Sequence, residues 1–350
     1  MNTELLEALT ILEEEKDISR DTLMDAIENS LINACKNHFG KADNVHVMID
    51  PETCDFSVYA EREVKEFVED PALEISLTDA QKINANAELG DVIKVQIQSK
   101  EFGRIATQNA KNVILQKIRE EERKVLYDQY YGMEKEVVTG IVQRVMGKNV
   151  SINLGKADAI LAENEQVRGE EFHPTEHIKV YILEVKDTPK GPRIQVSRTH
   201  PGLVKRLFES EVAEVRDGTV EIKSIAREAG SRTKIAVWSN DPDVDPVGAC
   251  VGMNGARVNS IVEELRGEKI DIINWDENPA ILIENALSPA KVIAVMADPE
   301  EKTALVVVPD YQLSLAIGKE GQNARLAARL TGFKIDIKSE TQARESGELY

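Results

Sequence analysis

Cysteine contributes three of 350 residues and aromatic side chains only 5% of the chain. Cys35, Cys54 and Cys250 are far apart and form no Cys-x-x-Cys pair. So sparse a set excludes a disulfide framework and a cysteine-ligated zinc site, and each is read as a small apolar residue in a reducing compartment. No run of about 18 apolar residues occurs, so no membrane-spanning helix is expected. Met1-Asn2-Thr3-Glu4 lacks the basic flank and apolar stretch of a signal peptide, and a cytoplasmic location is expected. Walker loop, dinucleotide fingerprint and nucleophile elbow are missing too, so neither a catalytic residue nor a cofactor is assigned.

Positive charge is also short: 43 Lys and Arg stand against 62 Asp and Glu, a net −19. The deficit is uneven. Residues 1–100 hold 22 acidic against 9 basic side chains, whereas residues 101–200 are close to balanced. A front segment of that charge repels phosphate and suits a basic protein surface, or is simply a solvated face. Length leaves room for two to four compact domains, and 42% hydrophobic with 30% charged residues is an ordinary globular mix.

The opening segment reads as mixed α/β. Leu5, Leu9 and Leu12 share one helical face. Ser19 then caps a second helix with Asp21 in its first turn, striped by Leu23, Ile27 and Leu31 and ended by Gly40. Val45, Val47 and Ile49 alternate as a strand, Asp50-Pro51-Glu52 turns, and Phe56, Val58 and Ala60 alternate again. A further strand runs from Val92 to Ile97. Arg104 to Tyr131 then reads as one helix, roughly 40 Å long at about 1.5 Å per residue. Its basic side chains include Arg104 and Lys111, candidate RNA contacts that a solvated helix also explains.

From residue 134 the pattern shortens. Val137–Val142, Val150–Leu154, Ala159–Leu161, Ile178–Val185 and Ile194–Val196 read as five strands separated by Gly and Pro, which fits a small OB-type barrel.

The last part repeats itself. Ala249-Cys250-Val251-Gly252-Met253-Asn254-Gly255 matches Leu315-Ala316-Ile317-Gly318-Lys319-Glu320-Gly321, and Lys269-Ile270-Asp271-Ile272 matches Lys334-Ile335-Asp336-Ile337. A strand-like run precedes each copy, at Thr233–Trp238 and Ala304–Val308. Helix, Gly-x-x-Gly, helix, strand is the core of a KH domain. A single Gly-x-x-Gly marks only a turn, but two copies in register with the same flanks are specific. Glycines let the sugar-phosphate chain approach the backbone N–H groups and the following helix N-terminus, and the adjoining apolar groove takes about four nucleotides. The expected RNA-binding residues are Gly252, Met253, Asn254, Gly255 and Arg257 in the first copy. In the second they are Gly318, Lys319, Glu320, Gly321, Gln322, Asn323 and Arg325. Lys319 should give the second loop the larger share of the electrostatic attraction.

Ile178-Lys179-Val180-Tyr181-Ile182 through Gln195-Val196-Ser197-Arg198-Thr199-His200-Pro201 resembles the end of the S1 domain of the NusA family of bacterial transcription factors. Val247-Gly248-Ala249-Cys250-Val251-Gly252 and Gly318-Lys319-Glu320-Gly321-Gln322-Asn323-Ala324-Arg325-Leu326-Ala327 resemble its two KH domains. The resemblance runs essentially end to end. It implies a multidomain α+β protein: residues 1–132 with the connecting helix, an S1-type OB barrel over 133–200, prokaryotic-type KH domains over 201–283 and 284–345, and a short polar tail over 346–350. It further implies a monomer whose N-terminal domain docks on RNA polymerase near the RNA exit channel. The S1 and KH domains would hold single-stranded nascent RNA, to prolong pausing, assist intrinsic termination and join other factors in antitermination. The barrel offers few stacking rings, Phe172 and Tyr181 being the main candidates, so strong RNA binding by the barrel alone is not expected. The chain stops at Tyr350, without the acidic repeats that some members carry after the second KH domain, so regulation through such an extension is not expected.

Two other readings are open. KH and S1-type domains also serve ribosomes and RNA decay. His173-Pro174-Thr175-Glu176-His177 fits an inverted zinc-peptidase motif, but that chemistry needs both histidines on one regular helix. Pro174 and the short connection around it predict a surface loop instead, and no metal site is assigned.

Overall fold

The computed structural model describes residues 20–39, 44–49, 56–96 and 100–347. The helix expected over Leu5–Leu12, the Ser19 cap, the Gly40 stop, the Asp50–Glu52 turn and Ile97 lie outside the described residues. The chain divides into two compact units, Met1–Val125 and Leu126–Tyr350.

In the first unit, α1 (Arg20–Phe39) carries Asp21 in its first turn and buries Ile27 and Leu31. Strands β1 (Val45–Ile49) and β2 (Phe56–Lys65) pair antiparallel with Val47 opposite Val58, both buried. Alternation put those side chains on one face, as a period of two requires. β2 also pairs with β3 (Glu74–Ser76) and β4 (Val92–Gln96), making a four-stranded sheet. Between those two lies α2 (Leu77–Ile83), whose N-terminus is capped by the Ser76 hydroxyl accepting from Asp79 N–H. Glu74 ties the β2–β3 connection by accepting the N–H groups of Glu69 and Asp70, and Lys65 reaches it at 3.0 Å.

Helix α3 (Lys100–Tyr131) carries the chain into the second unit. Its last turn docks on the barrel: Tyr130 is buried in the barrel core and donates its hydroxyl to Leu154 O at 3.0 Å. The barrel consists of β5 (Val137–Met146), β6 (Asn149–Asn153), β7 (Asp158–Leu161), β8 (His177–Lys186) and β9 (Arg193–Ser197), closed in the order β5-β6-β7-β9-β8. Val150, Ile152, Leu161, Val180, Ile182, Ile194 and Val196 fill it, at about 1.5–3 kcal/mol for each large apolar side chain taken from water. Five short strands with inward alternation are the arrangement the spacing predicts, and closure removes every exposed edge.

Two repeats follow. The first comprises α4 (Pro201–Glu211), α5 (Ala213–Arg216), β10 (Val220–Glu228), β11 (Arg232–Ser239), α6 (Pro246–Val251), α7 (Ala256–Glu264) and β12 (Lys269–Asn274). The second comprises α8 (Pro279–Ala286), β13 (Ala294–Asp298), β14 (Thr303–Val308), α9 (Leu313–Ile317), α10 (Gln322–Thr331) and β15 (Lys334–Ser339), followed by α11 (Glu340–Glu345). Each sheet has one antiparallel and one parallel pair: β11 runs parallel to β12, and β14 parallel to β15. The boundary expected at residue 283 falls inside α8, which packs against α10 and so belongs with the second repeat.

The repeats share a core. Ala226, Ala236 and Ile273 of the first are buried with Leu282, Ile283, Leu326 and Leu330 of the second. Lys234, fully buried between them, donates to Ser288 O at 2.8 Å and pairs with Asp271 at 3.0 Å. The barrel is joined to the first repeat by charge. Arg198, 1% exposed, spends all three nitrogens: two on Glu170, with contacts to Lys179 O, Glu264 O and the Glu264 carboxylate. Arg227 and Glu268 form a second buried fork at 2.8 Å, and Arg227 also reaches His200 O. Buried ions persist only when paired and hydrogen-bonded like this.

Candidate nucleic-acid interface

The two glycine loops have one backbone. Gly252 lies at φ 73°, ψ 175° and Gly318 at φ 77°, ψ 172°, a region open only to glycine. Asn254 and Glu320 are left-handed at φ 53° and 54°, and the closing Gly255 and Gly321 at φ 76° and 75°. A Cβ on Gly318 would lie 2.8 Å from the backbone nitrogen of Asn323, so this approach tolerates no side chain. Beyond Gly255 and Gly321, α7 and α10 begin without a side-chain cap; the N–H of Ala256 donates to Met253 O and that of Gln322 to Lys319 O, so each loop closes onto its helix and the positive end of the helix dipole faces it.

Met253 (85% exposed), Asn254, Lys319 and Glu320 project from the loops into solvent. Lys319 has no ion-pair partner among the described residues. The other predicted contacts are committed elsewhere. Arg257 folds back beneath Gly252, donating to Ala249 O at 2.7 Å and to Glu214 at 2.9 Å. Asn323 is 5% exposed and donates to Ala316 O and Leu287 O, each at 3.0 Å. Expected beside the phosphate path, Asn323 instead sits inside the loop. Gln322 donates to Glu228 and Ser231 of the first repeat. Arg325 donates to Glu228 at 3.0 Å and to Glu320 O at 2.5 Å, and its bond holds the Glu228 carboxyl below the usual range. Glu214, Glu228 and Ser231 carried no signal in the sequence, being 43 to 97 residues from their partners.

An open cleft of about 700 Å³ adjoins the first loop's helix. Val247 on α6 and Ile272 and Asn274 on β12 line one side, and Asn285, Ser288 and Lys291 of the second repeat line the other. Asp245, which caps α6, closes its end. A groove between the loop's preceding helix and the edge strand is where the KH reading expects bases. Cys250, on the inward side of α6, is fully buried, and burial pushes its thiol up to about 12.

On the barrel, Tyr181 is 7% exposed and stacks on His200 with ring centroids 4.7 Å apart. Phe172 lies under the Arg266 guanidinium. Both rings belong to the junction with the first repeat, so neither is an open stacking platform. His173 to Glu176 forms a turn, with Thr175 at φ 72° and the Glu176 carboxylate held by Arg266 at 2.7 Å. That is not the helix the peptidase motif requires. On α3, Lys111 is half-buried and already engaged, and Arg104 lies on the helix, its side chain outside the described residues.

Comparison with known proteins covers most of the chain. The NusA N-terminal domain family matches residues 4–124, the NusA-like first KH domain 198–275, and the NusA-like second KH domain 279–345. The transcription termination/antitermination protein NusA of Bacillus subtilis is 56% identical over 99% of this chain and 94% of its own. The protein of that name from Halalkalibacterium halodurans is 54% identical, over 100% and 91%. The one from Thermus thermophilus is 41% identical, over 97% and 90%.

Proposed function

The chain belongs to the NusA family, and from that premise we propose that it is a bacterial transcription elongation factor that binds RNA polymerase and nascent RNA and modulates pausing, intrinsic termination and antitermination. The observation that carries the reading is 56% identity along nearly the whole of both chains with a protein named for that process. The ribosomal and RNA-decay alternative has no support from the relatives matched.

The work is binding rather than bond-making, without catalytic residue, cofactor or metal, and it is done by a monomer in the cytoplasm. The domains are an N-terminal domain with its connecting helix to residue 132, a barrel to residue 200, and two KH domains that meet near Pro279. The acidic N-terminal domain docks on polymerase. Phosphates approach the Gly252–Gly255 and Gly318–Gly321 loops, where the positive ends of the α7 and α10 dipoles and Lys319 supply the attraction. Bases lie in the adjoining groove. Arg257 and Asn323 act by shaping the loops, and Gln322 and Arg325 by fixing the second loop against Glu228. Arg104 and Lys111 on the connecting helix are secondary RNA contacts. Other antitermination factors join on the assembled complex.

Transcription by purified bacterial polymerase on a hairpin-pause template tests this. The full chain should lengthen the pause, and a chain lacking residues 1–100 should bind RNA yet leave the pause unchanged. A pause unaffected by the full chain, with RNA binding intact, would overturn the assignment. Retention through high-salt washing of ribosomes would then favour a ribosomal role.

A further inference from the structure

The backs of the two KH sheets are built alike but occupied differently. Strand register sets the equivalence. Lys234 stands opposite Asp271 across one parallel pair, and Leu305 opposite Asp336 across the other. Ala226 stands opposite Lys234 as Met296 stands opposite Leu305. In the first repeat this face is closed: Ala226, Lys234, Ala236 and Ile273 are at most 5% exposed, beneath α10 and α8. In the second repeat Met296 is 45% exposed and Leu305 half-buried. Val307, on the same face, is fully buried, and α11 packs against β14 and β15.

The charges correspond as well. Glu228, at the end of β10 opposite Arg232, receives Gln322 and Arg325 from the helix lying on its sheet. Its counterpart is Asp298, at the end of β13 opposite Thr303. Asp298 accepts the N–H groups of Glu300 and Glu301, so three carboxylates gather at this turn. Lys302, which follows Glu301 in the chain, stands over the Phe333 ring at 4.9 Å.

We propose that the back of the second KH sheet is a docking surface for an amphipathic helix of a protein partner. That helix lays a small apolar stripe on Met296 and Leu305 and sets arginine or lysine against Asp298, Glu300 and Glu301. The inference does not depend on RNA binding by the loops. The chain itself supplies the template, because α10 occupies the equivalent face of the first repeat with Leu326 and Ala327 inward and Arg325 at the acidic edge. Nucleic acid is disfavoured there because the carboxylate turn repels phosphate.

The probe is a synthetic peptide copying residues 319–333, titrated into the full chain carrying 13C-methyl methionine. The Met296 methyl signal should move saturably while that of Met253, far more exposed in the first glycine loop, stays still. Since Asp298 also shapes its turn, charge is tested at exposed Glu300 and Glu301. The double variant Glu300→Lys with Glu301→Lys should bind the peptide at least tenfold more weakly. A peptide carrying Arg325→Glu and Arg329→Glu should recover that loss. A static Met296 signal, or affinity indifferent to the charge swap, overturns the proposal. So does a Met296 shift produced by protein concentration alone or by an RNA oligonucleotide, which would assign the face to a second copy or to RNA.

Discussion

Arg257 and Asn323 hold the same place in the two repeats, five residues after the first glycine of each loop, and both fold back as braces. Arg257 reaches Ala249 O at 2.7 Å and Asn323 reaches Ala316 O at 3.0 Å, each a carbonyl in the helix that leads into its loop. A long charged side chain and a short neutral one thus do one mechanical task. What remains for RNA is the exposed crest of each loop and the backbone beneath it.

Lys319→Ala should therefore weaken single-stranded RNA binding without changing thermal unfolding. One phosphate contact fewer lowers the slope of log affinity against log salt by about 0.7 for a single strand. Fluorescence anisotropy at several salt concentrations reads it. An unchanged slope would remove Lys319 from the phosphate path.

The glycines of one loop should not be equivalent. Gly318→Ala forces a Cβ to within 2.8 Å of backbone and into a glycine-only conformation, at a cost of about 1–3 kcal/mol. Gly321→Ala meets only the tip of Arg325 at 3.5 Å and costs about 1–2 kcal/mol for the left-handed backbone alone. Urea unfolding of both variants should rank Gly318→Ala as the less stable. Equal stabilities would mean the loop relaxes freely.

Glu268→Ala should be the most damaging substitution in the second unit. It strands the Arg227 guanidinium, the Thr233 hydroxyl and the Gly230 N–H in the interior, costing about 3–5 kcal/mol. Calorimetry should show a lowered transition for the second unit. A loss under 1 kcal/mol would indicate that water replaces the carboxylate.

Glu74 should titrate abnormally low. The hydrogen bond from Lys65, then those from the Glu69 and Asp70 N–H groups, bring its carboxyl to about 2. Because the folded value is depressed, this stabilisation is complete above the ordinary carboxylate value near 4.5. It fades as pH falls from there toward about 2. Carboxyl-detected NMR of the folded protein checks the midpoint; a value near 4.5 would mean the β2–β3 connection is not tied as described.

Much of this architecture was legible in order of residues. Alternation at Val45–Ile49 and across the five barrel strands, and the doubled Gly-x-x-Gly with its Lys-Ile-Asp-Ile echo, are local patterns that state their own geometry. Helix α2 and strand β3 escaped notice because three- and seven-residue elements give periodicity too little length. The partners of Asn323 and Arg325 were not legible for another reason. A polar side chain next to a phosphate loop looks like a ligand until its partner is known, and Glu228 lies 97 residues away from Arg325. Arg198 stood in plain view among the residues resembling an S1 domain, but only tertiary structure shows it buried against Glu170 and Glu264.

The shared core of the two KH domains has a consequence for synthesis. Lys234 and its neighbours Ala226, Ala236 and Ile273 are covered only once α10 exists, some 57 residues after β12 ends. At about 5–20 residues per second, the ribosome leaves that face open for roughly 3–12 s in every nascent chain. A premature stop between Trp275 and Gln322 makes the exposure permanent. Such a fragment carries an intact first glycine loop beside an uncovered apolar sheet, and it is a substrate for chaperones before it is a ligand for RNA.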